Sequence, residues 1–403
     1  MNKKKLIRTS ALLLVCALLL ASLASCASWD NFYNAFLNKD EKPEKVIHIA
    51  VFEPLTGSEA NAADDEVEGI KLANSLFPTV KGAKLELVWF DNKSDTETAK
   101  LTAAEIARDD TVMMVIGSYG NMLTVAAADT FEEAGIPCIN ATSTNPLISN
   151  TTSFVCAAAV DAFQARAAAE FAVNELGERA LAAVYSSSDE LSKIRAQEFA
   201  RYCEQTYKIN SIPVIAVNEG ADPYYITKAL ETAEATTVYM PTSTSVQEAL
   251  SAKTEELGLD LKWIGGNAWR ALKTPDLYYT ADYDPFMDIT SMSKALREIW
   301  QHRYGSASVP SEEAALAFDA YLMAITALGN AEDMSSRESI AAALSAINEL
   351  EGSTGIISIS MNGSPVKSVQ IYRTEEESDE LVFTAFGKKA APENNGTEPA
   401  GGN

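Results

Sequence analysis

Two polar segments hold the residue types best suited to chemistry, Gly117-Ser118-Tyr119-Gly120-Asn121 and Asn140-Ala141-Thr142-Ser143-Thr144. Each follows a short apolar run, at residues 112–116 and 136–139. Hydroxyls and amides at such places suit non-covalent capture of a small polar ligand, with helix N-termini offering N–H groups to an anion. Bond-making chemistry finds less support. A nucleophile elbow needs G-x-S-x-G, and Ile116 stands where the first glycine belongs. The two histidines are His48, inside the first apolar run, and His302, in a late helical segment beside Arg303; both read as structural or solvated. A dinucleotide site would need G-x-G-x-x-G after the first strand, where Pro54-Leu55-Thr56-Gly57-Ser58 stands instead. Asp91-Asn92-Lys93-Ser94-Asp95 alternates like a calcium loop, but Lys93 and Thr96 occupy places that need an oxygen ligand and a glycine. No metal or cofactor is expected.

The elements that position these loops follow from apolar spacing. Residues 112–116 and 136–139 are long enough for buried strands and too short for helices, and residues 122–134 between them are Ala-rich with helical spacing. Strand, loop, helix, strand, loop is the unit of a parallel sheet, and in such sheets ligands gather at the carboxyl ends of strands. Strands at 46–52 and 85–91 and helices at 64–76 and 95–109 complete a first doubly wound lobe that ends with a strand at 154–159. A second α/β cycle runs from Asp161 to Gly265. Residues 278–288 show no clear period, and helices return at 292–304, 312–329 and 336–347. Asn362-Gly363 between residues 355–361 and 369–373 predicts a hairpin.

Lys3-Lys4-Lys5 and Arg8 precede an uncharged apolar run at 11–20 and then Leu23-Ala24-Ser25-Cys26, the pattern of an export signal. A membrane span would need roughly 20 apolar residues. Removing residues 1–25 takes four basic residues and no acid from 32 basic and 56 acidic ones, which deepens the formal charge from −24 to −28. Such a charge opposes nucleic acid and anionic lipid surfaces. After Cys16 and Cys26, the remaining cysteines are Cys138, Cys156 and Cys203. A Cys138–Cys156 bridge is one reading of adjacent strands and two buried thiols the other; Cys203 lies on an amphipathic helix.

The ending Leu23-Ala24-Ser25-Cys26 resembles a bacterial lipobox, which implies that Cys26 becomes the lipid-modified first residue. Further along, Leu55-Thr56-Gly57, Glu68-Gly69-Ile70, Val115-Ile116-Gly117-Ser118, Ala134-Gly135-Ile136-Pro137 and Ala141-Thr142-Ser143-Thr144-Asn145-Pro146 resemble the solute-binding proteins of ABC transporters. The likeness is to the type 1 periplasmic fold and its leucine/isoleucine/valine-binding branch. It implies an α/β fold of two doubly wound parallel-sheet lobes joined by a multi-crossing hinge, and no enzymatic activity. By position, Asn121, Thr142, Ser143 and Thr144, beside Ser118, would hold the carboxylate of an amino-acid ligand. In the second lobe the chain departs from the pattern. The family's ammonium-pairing carboxylate falls on Asn267, so Glu190 or Asp189 would have to supply the charge, and Trp269 would wall the pocket.

The expected organisation is a signal peptide at 1–25 and a tether at 26–45. Lobe 1 covers 46–160 with 290–347, lobe 2 covers 161–285 with 351–387, and a disordered tail covers 388–403. The resemblance implies an exported, membrane-anchored monomer that presents a small solute to an ABC permease. The competing reading is a ligand sensor or envelope scaffold on the same fold.

Overall fold

The computed structural model describes residues 45–143, 154–158, 161–218, 220–360, 365–376 and 379–385. The signal peptide, Cys26, Thr144, the Asn362-Gly363 turn and the tail lie outside the described residues.

Short apolar runs bounded by polar turns form β1 (Val46–Glu53), β2 (Thr79–Val80), β3 (Ala83–Asp91), β4 (Val112–Ile116), β5 (Cys138–Asn140) and β6 (Phe154–Cys156). They build one sheet in the order β2-β3-β1-β4-β5-β6, parallel except where β2 folds back on β3. Helices α1 (Ala60–Leu76), α2 (Thr96–Arg108) and α3 (Asn121–Glu133) connect its strands. Asp95 caps α2 by accepting from Thr98 N at 2.7 Å, one of the unpaired N–H groups at a helix start.

The second cycle runs through α4 (Asp161–Glu170), which continues as a π turn at Phe171–Glu175, to β7 (Leu181–Ser186) and α5 (Glu190–Tyr207). It continues through β8 (Val214–Val217), α6 (Tyr224–Thr232), β9 (Thr237–Met240), α7 (Thr244–Glu256), β10 (Lys262–Gly265) and β11 (Tyr278–Ala281). Next come α8 (Ser291–Tyr304), α9 (Glu312–Asn330) and α10 (Arg337–Ser345), followed by β12 (Leu350–Gly352), β13 (Gly355–Ile359), β14 (Pro365–Lys367), β15 (Val369–Arg373) and β16 (Glu380–Ala385). The second sheet has the order β16-β15-β11-β10-β9-β7-β8. Its β7 to β11 pair in parallel, while β15 and β16 close one edge antiparallel. The fold is thus mixed α/β, with two lobes whose sheets are mainly parallel.

Two expectations are corrected, and the open reading of Cys138 and Cys156 is decided. Residues 278–281, read as irregular, form β11 between β10 and β15. Tyr279, Thr280 and Ala281 are buried in succession, so no alternation marks the strand. The hairpin partner of β13 is β14 rather than residues 369–373; the chain leaves the small β12-β13-β14 sheet after Lys367, and β15 joins the second large sheet. The Cys138–Cys156 bridge is absent, and both thiols are free and buried. Cys138 lies opposite Phe154 and Cys156 opposite Asn140, so the strand register sets the two cysteines apart. Cys156 Sγ donates instead to Ser143 O at 3.1 Å. Cys203 is also free, and burial pushes its thiol up to about 12.

Helix α9 holds the first lobe together. From Ala314 to Ile325 every residue is buried, as expected of a helix apolar on all faces. It lies close against α1, where a Cβ on Gly69 would sit 2.2 Å from Ala314 O. Tyr321 supplies the polar link, donating to Phe77 O and accepting from Asn74 Nδ2, both at 2.8 Å. The same apolar cluster gathers Met292, Leu296 and Trp300 of α8 and Ile357 and Ile359 of β13. Residues 291–359 therefore pack back on the first lobe after the chain has built most of the second.

Candidate functional site

The carboxyl ends of both large sheets face one cleft of about 580 Å³. Its first wall begins in the loop after β1. Asp91, at the end of β3, fixes that loop by accepting from Leu55 N at 3.0 Å, Thr56 N at 3.1 Å and Thr56 Oγ1 at 2.6 Å. The hydrogen bonds from Thr56, Lys93 and Leu55 outweigh partial burial and hold the Asp91 carboxyl below its ordinary range. Glu59 N donates to Ser94 Oγ at 3.0 Å, which brings Ser58 and Glu59 to the cleft.

The two polar segments following β4 and β5 meet beside this loop. Ser143 Oγ donates to Asn121 Oδ1 at 2.7 Å, joining one segment to the other. Thr142 Oγ1 donates to Glu66 Oε1 on α1. Glu66 is fully buried; burial, the main cause, pushes its carboxyl up to about 8 against the lowering effect of Thr142. Beneath it lies Glu53, raised by burial first and by Glu66 next, with Oε2 accepting from Tyr119 N at 2.7 Å. A buried carboxyl pair of this kind retains a proton because two adjacent negative charges cannot both be desolvated.

Helix α4 brings Gln164 to the second wall, α5 brings Arg195, and the loops after β10 and β11 bring Asn267 and Asp282. Gln164 Nε2 donates to Asp282 Oδ2 at 3.3 Å. Glu312 and Glu313, at the start of α9, complete the enclosure. Glu312 Oε2 accepts from Asn267 Nδ2 at 2.6 Å and its Oε1 from Asp282 N at 3.3 Å. Burial, followed by the Asp282 charge, lifts the Glu312 carboxyl to about 7.

Of the residues singled out from sequence, Asn121, Thr142, Ser143 and Asn267 line this cleft. Ser118 is fully buried behind it, accepting from Asn92 Nδ2 at 2.8 Å and donating to Tyr119 O at 2.8 Å. Trp269 is also fully buried, its Nε1 donating to Thr242 O at 3.0 Å. Glu190 sits in the first turn of α5 and pairs with Lys193 at 3.0 Å. None of these three lines the cleft. Sequence reasoning passed over Glu59, Gln164, Arg195, Asp282, Glu312 and Glu313. Ser311 ahead of two acidic residues reads as ordinary helix capping, and Ser311 Oγ does accept from Ala314 N at 3.1 Å. Asp282 lay in the stretch read as irregular. Only the return of α9 to the cleft gives these residues a common address.

Among the described residues, no group of His, Cys, Asp and Glu is arranged to hold a metal ion, and no helix is long and apolar enough to cross a membrane.

A family model described as periplasmic binding protein matches residues 46–379. An amino acid binding protein of Pseudomonas aeruginosa is 28% identical over 103 residues, which is 25% of this chain and only 28% of that relative's length. Among solved structures, a leucine binding protein from Thermotoga maritima aligns with a TM-score of 0.67 at 24% identity, covering 84% of this chain and 98% of that one. A putative branched-chain amino acid ABC transporter from Rhodospirillum rubrum aligns with a TM-score of 0.75 at 18% identity, covering 84% and 100%. At these identities the structural likeness speaks for the fold.

Proposed function

Because this chain belongs to the periplasmic binding protein family, whose members bind solutes outside the cytoplasm rather than transform them, we propose that it is the solute-capturing subunit of an ABC importer. In this reading Cys26 carries a lipid that holds the protein at the membrane, and the monomer hands a small polar solute to a permease. An amino acid or a related amide is the expected class, in line with what the relatives are named for. The observation that carries the reading is the shared cleft, lined by Asn121, Thr142 and Ser143 from one lobe and by Gln164, Arg195 and Asn267 from the other. A solute that touches both walls gains its full set of contacts only when the lobes close, so it shifts the population toward the closed form.

Thermal unfolding of the full chain in detergent, refolded beforehand to strip any bound solute, tests the reading against amino acids, short amides, nucleosides and purines. A solute present at about 100 times its dissociation constant adds about 2.7 kcal/mol of stability. The expected result is a shift confined to one class and abolished by Asn121→Ala. No shift across the panel would overturn solute capture.

A further inference from the structure

The cleft presents more acceptors and negative charge than the single ammonium of a neutral amino acid needs. Glu59, Asp282, Glu312 and Glu313 line it, against Arg195 as the one basic residue of its described lining. Glu312 is engaged by Asn267, by the Asp282 backbone and by the Arg270 guanidinium at 3.8 Å. Among the described residues, neither Glu59 nor Glu313 is joined to a cationic side chain, and Glu59 Oε2 is buried without a hydrogen-bond partner. Both charges reach the hydroxyl of Tyr119 between the loops, which burial and then Glu313, Glu66 and Glu59 push above its ordinary range.

The opposite wall adds an independent sign. Gln164 is only 5% exposed and lines the cleft; its Nε2 is committed to Asp282 while its Oε1 is buried without a partner. Meanwhile the hydroxyl protons that would meet a ligand carboxylate are spent within the protein, Thr142 on Glu66 and Ser143 on Asn121. Tyr119 N is spent on Glu53. Closing the lobes would strip water from Glu59 and Glu313, an unfavourable step unless the solute brings a compensating positive charge. A cavity of about 580 Å³ is far larger than a bare metal ion and suits an organic solute.

Resting on the solute-capture reading, we propose that this cleft selects a net-cationic amine, a basic amino acid or its amide relative. Its ammonium or guanidinium group meets Glu59 and Glu313 and donates to the Gln164 carbonyl. A carboxylate on the same solute meets Arg195. The selectivity is set by acids from two distant parts of the chain, the loop after β1 and the start of α9.

Titration calorimetry on the full chain in detergent, stripped by refolding, tests this with L-arginine, L-lysine and agmatine against L-leucine, L-isoleucine, acetamide and calcium chloride. The basic solutes are expected to bind. Glu59→Gln and Glu313→Gln should each weaken them by about tenfold or more, with unchanged circular dichroism showing that the variants fold. Binding of leucine or isoleucine with no heat from the basic solutes overturns the charge preference and leaves solute capture standing. Binding of the basic solutes that neither glutamine variant weakens overturns the assigned seat, and a response to calcium alone overturns an amine ligand. Silence from every probe counts against both this inference and the capture reading.

Discussion

Asn267 Nδ2 donates to Glu312 Oε2 at 2.6 Å, tying the loop after β10 in one lobe to the first turn of α9 in the other. Both residues line the cleft. Asn267→Ala leaves a buried carboxyl oxygen without its donor, which costs about 1–3 kcal/mol. The loss should be larger at pH 8.5, where Glu312 is mostly ionised given its folded value of about 7, than at pH 5.5. Urea unfolding of wild type and variant at the two pH values measures it, and equal losses would contradict the assignment.

Glu66 governs a second pH effect. Its folded carboxyl titrates at about 8, above the ordinary 4.5, so the folded chain holds a proton that the unfolded chain releases across that interval. The stabilisation is therefore complete below about pH 4.5 and lost as pH rises through 8. Glu66→Gln keeps an acceptor for Thr142 and removes the titration. It should flatten this part of the stability profile and add on the order of a few kcal/mol at pH 8.5, as read by chemical unfolding across pH 5 to 9.

Lys367 and Asp319 are joined through Thr354 where the chain crosses between sheets. Lys367 Nζ donates to Thr354 Oγ1 at 2.6 Å and to Ala157 O at 3.1 Å, while Thr354 Oγ1 donates to Asp319 Oδ2 at 2.5 Å. Lys367 is 1% exposed and Asp319 fully buried. Removing either charge alone strands the other, so Lys367→Met or Asp319→Ala should each cost about 3–5 kcal/mol. Combining Lys367→Met with Asp319→Ala should cost clearly less than the sum, and a double-mutant cycle from urea midpoints checks this.

The thiols give a simple chemical test. Cys138, Cys156 and Cys203 are free and buried. They should resist iodoacetamide in the folded chain and react once it is unfolded, with no prior reduction needed. Dithiothreitol should leave the melting temperature unchanged, whereas loss of a native bridge would cost about 2–5 kcal/mol.

The first lobe was readable because its signals are local. Residues 112–116 form β4 with the boundaries that apolar spacing predicts, since short buried runs between polar turns leave little choice. Pairing was less readable. Asn362-Gly363 pointed to a hairpin, but a turn signal does not record where the chain goes after the first returning strand, and Lys367 marks its departure to another sheet. Edge strands such as β2, β12 and β14 are two or three residues long and carry too few side chains to show a period. The hydroxyl loops of the site were visible as strand ends. Its carboxylates were not, because Glu59 and Glu313 are ordinary surface letters until α9 carries one of them back to the other.

The position of α9 in the chain also sets an order of events. The strands of the first sheet end at Cys156, yet the helix that fills the apolar cluster against them begins at Glu312. As the chain is made, the amino-terminal half emerges with that face uncovered and must wait for the whole second cycle to follow. Contacts of such long sequence separation form late and slowly. The first lobe to be made is thus the last to be finished, and the nascent chain has to be kept from sticking until residues 312–330 arrive.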